Sequence, residues 1–177
     1  EILSGLVGSE MCIRDSHWSI AEHATATLYF TGVSRAFLAE LTRHRHLSFS
    51  VESQRFINAN NANIVAPPAM RNSQSLRDDL ELDAEGALDF YKYTAEQLLD
   101  AGLTRKQARE AARAFIPNCI ETRMVVTGNL RAWHEVIERR TKPDADAEMQ
   151  EVMRLAAQEL HTVSPIIFPK ENTSDRK

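Results

Sequence analysis

Thirteen consecutive residues, Arg43-His44-Arg45-His46-Leu47-Ser48-Phe49-Ser50-Val51-Glu52-Ser53-Gln54-Arg55, carry three arginines, two histidines and three serines. Arginine presents a planar fork of donors that matches phosphate oxygens two at a time. Serine hydroxyls add short donors to the same oxygens. The run therefore reads as a site for a phosphorylated ligand. A solvated basic turn between two elements would have the same composition. Net charge over the chain is −4, which argues against a dedicated nucleic-acid binder. Arg35, Arg43, Arg45 and Arg55 reverse that balance locally against Glu40 and Glu52. A basic site in an acidic chain suits a small anion better than a polyanion.

The surrounding elements must position this run. The mixed β-branched stretch Ala24 to Thr31 predicts a strand that Gly32 breaks. Ser34 is a candidate N-cap for a helix through Leu41, with Phe37, Leu38 and Leu41 on one face. The basic run thus begins at a helix C-terminus, where the macrodipole favours cations. Phe56 to Met70 reads as an irregular connection with a short strand at Ile64-Val65. Apolar spacing through Leu88, Tyr91, Ala95 and Leu98-Leu99 predicts a helix over 83–101, closed by Gly102. Thr104 and Gln107 have capping-box spacing and open a helix that stops before Pro117. Glu121 to Thr127 suits either a strand or a continued helix. Asn129 to Arg139 and Ala145 to His161 read as helices. The order is mixed, mostly helical, and implies an α+β fold.

Glu1 to Ser16 has no sustained periodicity, and Val7 to Ser16 resembles translated sequencing-adapter read-through. The expectation is a non-native segment over 1–16, with a domain over 17–177 that lacks its own N-terminus. Two cysteines, Cys12 and Cys119, are too few for a disulfide framework. No apolar run is long enough to span a bilayer, and no signal peptide is visible. The expected compartment is the cytoplasm, with neither membrane nor nucleic acid as a partner.

The residues then resemble a known family, the flavin-dependent thymidylate synthases. Its signature is Arg-His-Arg, seven residues, then Ser; here Arg43-His44-Arg45 and Ser53, with Arg55 beyond. Upstream, His17-Trp18-Ser19-Ile20-Ala21-Glu22-His23 is similar to the family's His-x-Ser/Thr-x-x-Glu-His segment. Downstream, Arg113-Ala114-Phe115-Ile116-Pro117 resembles its arginine-before-proline segment. Thr122-Arg123 with Asn129-Leu130-Arg131-Ala132-Trp133 resembles its Asn-x-Arg segment, and Arg140 falls at its catalytic arginine.

The resemblance implies a central antiparallel sheet flanked by helices, and a homotetramer whose sites draw on more than one subunit. It implies conversion of dUMP to dTMP, with FAD as cofactor, methylenetetrahydrofolate as carbon donor and NADPH as reductant of the flavin. It places Ser19, Arg43, His44, Arg45, Val51, Asn129, Leu130, Arg131 and Glu135 against FAD. It places Glu40, Arg43, Val51, Glu52, Ser53, Gln54, Arg55, Arg113 and Arg140 around dUMP. Arg140 would face the uracil, where a fixed cation stabilises charge developing on the ring. No metal is implied.

Read without the resemblance, Arg131, Arg139 and Arg140 form a charged helix end paired with Glu135 or Glu138. Cys119 reads as a small buried hydrophobe. His134 and His161 read as helix-surface residues, and Trp18 and Trp133 as core or pocket wall. Four positions depart from the family pattern: Glu40, Val51, Glu135 and Asp144. Glu40, Val51 and Asp144 open a second reading, a non-catalytic flavin- or nucleotide-binding relative. A nucleic-acid-binding module is a third, opposed by the net charge.

Overall fold

The computed structural model describes residues 18–59 and 62–170. The expectations for residues 1–16, for His17 and for Cys12 lie outside the described residues. The chain divides into two compact units. One takes the chain up to Leu28, Thr42–Phe49 and the chain from Val126; the other takes Tyr29–Leu41 and Ser50–Val125.

The strands are β1 (Thr25–Ser34), β2 (Ser48–Val51) and β3 (Glu121–Asn129), in the sheet order β1-β3-β2. The helices are α1 (Arg35–Leu41), α2 (Gln74–Asp100), α3 (Arg105–Ala112), α4 (Leu130–Arg140) and α5 (Ala147–Val163). Short 3-10 turns cover Trp18–Glu22, Pro68–Met70 and Arg113–Phe115. Thr27 meets Thr127 hydroxyl to hydroxyl at 2.8 Å, and the Gly32 N–H meets Glu121 at 3.0 Å. As β1 advances β3 retreats, so the pair is antiparallel. The class is α+β, as expected. The open choice over Glu121 to Thr127 resolves as strand. Its alternating burial puts Thr122, Met124, Val126 and Gly128 inside.

Gly32 does not end β1. It lies within the strand at φ 67°, and its N–H is taken by the Glu121 carboxylate. The inward positions step from Ala26, Leu28 and Phe30 to Val33, one residue out of phase. An extra residue at a bulge has this effect, and glycine tolerates the left-handed conformation there. Beyond it Ser34 caps α1: its Oγ accepts from the Phe37 N–H at 3.0 Å, and Phe37, Leu38 and Leu41 are buried.

Helix α2 begins at Gln74, well before Asp83. Ser73 caps it by accepting from the Leu76 N–H, and Gln74 donates to Asp78 one turn on, at 2.6 Å. These first turns are exposed and polar, so they lack the apolar stripe that marks the rest. At the other end the N–H of Leu103 reaches the carbonyl of Leu98, and that of Gly102 reaches Leu99. With Gly102 at φ 89° this is a Schellman close. The Thr104–Gln107 capping box opens α3 as expected. Tyr91, Ala59 and Ala112 form a buried cluster, with Leu88, Ala95 and Ile116 packed on it.

In the unit that starts from Val126, Asn129 caps α4 by accepting from the Ala132 N–H at 2.7 Å. Leu130, Ala132, Trp133 and Val136 are buried along α4; Met149, Met153, Ala156 and Leu160 are buried along α5. The indole N–H of the fully buried Trp133 donates to the Ala26 carbonyl at 3.1 Å. Gly128 lies under this cluster. A Cβ there would come within 2.4 Å of Leu47 Cδ2 and 3.3 Å of Trp133 Nε1.

Candidate functional site

The Arg43–Arg55 run is divided between the two units. Arg43, His44, Arg45 and His46 fall in Thr42–Phe49; Ser50, Val51, Glu52, Ser53, Gln54 and Arg55 fall in the other unit. Each unit holds a polar cavity lined in part by residues of the run or of the family motifs.

The first has a volume of about 330 Å³ and is lined by Glu22, His46, Asn129, Arg131, Ala132 and Glu135. Three residues expected at FAD therefore share one wall: Asn129, Arg131 and Glu135. Arg131 is held from both sides, by Nη1 on Glu22 at 2.5 Å and by Nε on Glu135 at 3.0 Å. Glu135 and Glu22 raise the Arg131 guanidinium above its ordinary range. This is the ion pairing that the helix reading foresaw for Arg131. Asn129 uses its carbonyl oxygen as a cap, so what it offers the cavity is the amide N–H₂. A wall of two carboxylates, one neutralised guanidinium and an amide fits the hydroxyl-bearing and ring-edge parts of a dinucleotide. A bare diphosphate would be repelled there. Arg43 and Arg45, in the same unit, are both exposed. Leu130 is buried and donates its N–H to the Ala24 carbonyl at 2.9 Å. Ser19 is exposed on the Trp18–Glu22 turn.

That turn rests on α4. The Trp18 ring stacks on His134 with centroids 4.2 Å apart. His134 also approaches Glu138 at 3.9 Å, and His161 Nδ1 lies 2.8 Å from the Phe168 carbonyl. Neither histidine is the plain surface residue that its helical position suggested. At the C-terminus of α4, Arg140 Nε donates to His44 Nε2 at 2.8 Å, both residues half-buried.

The second cavity, of about 290 Å³, is lined by Arg35, Glu52, Gln54, Glu121, Thr122 and Arg123 with smaller residues between. Both volumes stand at the low end for small-molecule sites. Arg35 is its most informative side chain. Burial first, and then the nearby Arg113 cation, pull its guanidinium below the ordinary range, while Glu52 offsets them in part. Arg35 is thus a half-buried guanidinium, while Arg113, whose charge acts on it, is exposed. Ser53 opens a turn here: its carbonyl accepts from the N–H groups of Phe56 and Ile57, and its hydroxyl accepts from the Arg55 N–H at 3.3 Å. Arg55 reaches α3, with Nη2 2.7 Å from Glu110.

Glu121 closes the floor with a side chain only 7% exposed. Burial alone would raise its carboxyl. The Gly32 N–H, the Asn63 amide at 2.5 Å and Arg123 at 3.3 Å together hold it below the ordinary carboxylate range. Thr122 Oγ1 is buried on the same wall without a hydrogen-bond partner among the described residues. Glu40 is half-buried on α1, Val51 ends β2, and Arg113 is exposed on its 3-10 turn. Cys119 is half-buried, and that burial pushes its thiol up, away from thiolate character.

Wall residues that the sequence did not single out as site residues include Arg35, Glu121 and Arg123. Arg35 had one available signal, its place as the first helical residue after the Ser34 cap. An arginine there opposes the helix dipole and calls for another reason. Glu121 and Arg123 carried only their two-residue spacing on a strand, which puts both on one face.

Comparisons with known proteins identify the family. The model of the thymidylate synthase complementing protein family matches residues 8–166. A flavin-dependent thymidylate synthase of Mycobacterium tuberculosis is 41% identical over 159 residues, covering 86% of this chain and 64% of the relative. The enzyme of that name from Mycobacteroides abscessus is 42% identical over 169 residues, covering 88% and 65%. A probable one from Mycobacterium phage L5 is 45% identical over 159 residues, covering 84% and 63%. The chain thus spans just under two thirds of the length of these curated relatives. Thymidylate synthase X from Helicobacter pylori, solved with FAD and dUMP, shares the fold with a TM-score of 0.59 at 22% identity. The likeness covers 89% of this chain and 78% of that one.

Proposed function

Because this chain belongs to the thymidylate synthase complementing protein family, we propose that it acts as a flavin-dependent thymidylate synthase, converting dUMP to dTMP. The observation that carries the reading is the half-buried Arg35 on the wall of the cavity that Glu52, Gln54 and Arg123 also line. A guanidinium held half out of water at a polar cavity is stabilised by an arriving phosphate, which a neutral ligand would not do.

In this reading Arg35, Arg55 and Arg113 hold the dUMP phosphate, with the Ser53 hydroxyl and the Gln54 amide directing the nucleotide. Glu52 keeps Arg35 charged and oriented. Val51 contributes only an apolar contact where the family often has a polar one. Glu40 is tolerated near a phosphate only while an arginine neutralises it. Arg43 and Arg45 supply charge for the diphosphate of FAD. Ser19, His44, Asn129, Arg131 and Glu135 line the rest of its site, and Leu130 anchors that segment in the core. Arg140 faces the uracil and stabilises negative charge on the ring. FAD, when bound, supplies the hydride chemistry, with NADPH as its reductant and methylenetetrahydrofolate as the carbon donor.

The small cavities fit a site completed by other subunits, and we propose the homotetramer. Leu82, Phe90 and Tyr93 support it: these large apolar residues lie exposed along one side of α2. The proposed compartment is the cytoplasm.

The test is product formation by the purified chain given FAD, NADPH, dUMP and methylenetetrahydrofolate. Formation of dTMP, lost in Arg140→Ala with flavin still bound, supports the reading. Flavin and dUMP binding without product would support the non-catalytic relative. Failure to bind either would remove both.

A further inference from the structure

The bond between Arg140 and His44 has a consequence beyond the residues that FAD and dUMP would touch. Arginine donates and cannot accept, and its guanidinium stays charged. Since Arg140 Nε donates at 2.8 Å, His44 Nε2 must carry the lone pair. The imidazole proton is then on Nδ1, and the ring is neutral. A protonated ring would offer Nε2–H against Nε–H and place two cations in contact.

Both ends of this bond are anchored. Arg140 is the last residue of α4. The next residue, Thr141, returns both its N–H and its hydroxyl to the Ile137 carbonyl, at 3.0 and 2.9 Å. Its own carbonyl accepts from Arg154 of α5 at 3.2 Å. On the other side, the Leu47 N–H closes a turn onto the His44 carbonyl at 3.2 Å. Leu47 is 6% exposed, and its Cδ2 fills the space over Gly128 that a Cβ would need. A long arginine side chain left to itself samples many rotamers. Fixing its Nε–H to an acceptor on a pinned turn fixes the plane of the guanidinium.

We infer that His44 is a positioning residue for Arg140: as the neutral Nδ1–H tautomer, it aims the guanidinium through Nε2. The inference rests on the proposed function, in which Arg140 faces the uracil. His44 acts on turnover through Arg140 rather than through flavin contact alone.

The test compares kcat per bound flavin and KM for dUMP across a set of variants. His44→Leu removes the acceptor and lowers kcat about tenfold to a hundredfold, the scale of a misplaced catalytic group. KM for dUMP changes less than about threefold, since binding is far less sensitive to that aim. His44→Gln, whose amide oxygen can fall near Nε2, restores most of kcat. Arg140→Lys keeps a charge but has no Nε–H, so adding His44→Leu to it produces little further loss. Multiplied losses in the double variant, or Gln no better than Leu, would overturn the inference. Unchanged kcat in Arg140→Ala would instead remove the proposed role of Arg140, and this inference with it. Imidazole nitrogen NMR of the unaltered protein, assigned by the signals missing from His44→Gln, is independent of how the variants fold. It is expected to show Nδ1 protonated and Nε2 bare; the opposite tautomer would refute the inference outright.

Discussion

Arg55 and Glu110 form an ion pair, Nη2 to Oε2 at 2.7 Å, that ties the turn after β2 to α3. Two neighbours on α3 tighten it. Arg109 donates to the Phe56 carbonyl at 2.5 Å, and the Lys106 ammonium lies 5.5 Å from the Phe56 ring centroid. The residue proposed to grip phosphate is thus already oriented by a carboxylate. Its Nε is buried with no hydrogen-bond partner among the described residues.

Glu110→Gln is therefore expected to raise KM for dUMP about two- to fivefold. The pair is more than a third exposed, and such pairs contribute at most about 1 kcal/mol. Arg55→Ala removes the grip itself and should raise KM about tenfold or more. Steady-state kinetics at matched flavin content decides. A fall in KM for Glu110→Gln would mean that the carboxylate competes with phosphate instead of orienting its partner.

Arg35→Gln separates binding from stability. It should weaken dUMP binding about tenfold to a hundredfold, the worth of a charge-assisted hydrogen bond. Without nucleotide it should leave the melting temperature unchanged or raised, because it removes a guanidinium that burial already disfavours. Calorimetric titration and thermal unfolding check the two halves. A clear loss of stability with unchanged binding would make Arg35 a structural residue.

Glu121 predicts a pH dependence of stability. Its folded carboxyl lies below the ordinary value, so its contribution is complete above the unfolded value of about 4.3 and fades as pH falls through the folded one. The unaltered protein should therefore lose stability in acid more steeply than Glu121→Gln. The gap between their unfolding midpoints should be widest near neutral pH and narrow toward pH ~3. Parallel curves would show that Glu121 is not held ionised by Gly32, Asn63 and Arg123.

Gly128→Ala should destabilise by about 1–3 kcal/mol, the usual cost of overpacking a core. The added methyl meets Leu47 at 2.4 Å and has Trp133 behind it. Truncating Leu47 to Ala should cost less in the Gly128→Ala background than alone, since the two changes share one space. Additive denaturant midpoints would show that Leu47 moves aside freely.

Much of the local structure was legible without coordinates. The Ser34 cap, the Thr104–Gln107 box and the Gly102 close each depend on bonds among residues a few positions apart. Backbone rules at that range follow from residue type alone. The first turns of α2 were missed because they are polar and exposed, and periodicity registers only a buried face. The family motifs marked Glu52 and Gln54, which line one cavity, and Asn129, Arg131 and Glu135, which line the other. They also carried the ligand chemistry that composition could not name.

What only the tertiary structure decided is which of these groups meet. Gly32 reads as a strand breaker until Glu121, 89 residues away, accepts its N–H and lets β1 continue. Arg131 reads as a helix-end partner of Glu135 or Glu138, and only the fold adds Glu22, 109 residues away, on its other side. Arg140 and His44 are 96 residues apart, and no local pattern links them. The sequence by itself determined the residue types, the caps and the membership of a family. Strand pairing and helix packing determined the neighbours of each charge. The state and reach of an ionised side chain depend on those neighbours far more than on its own identity.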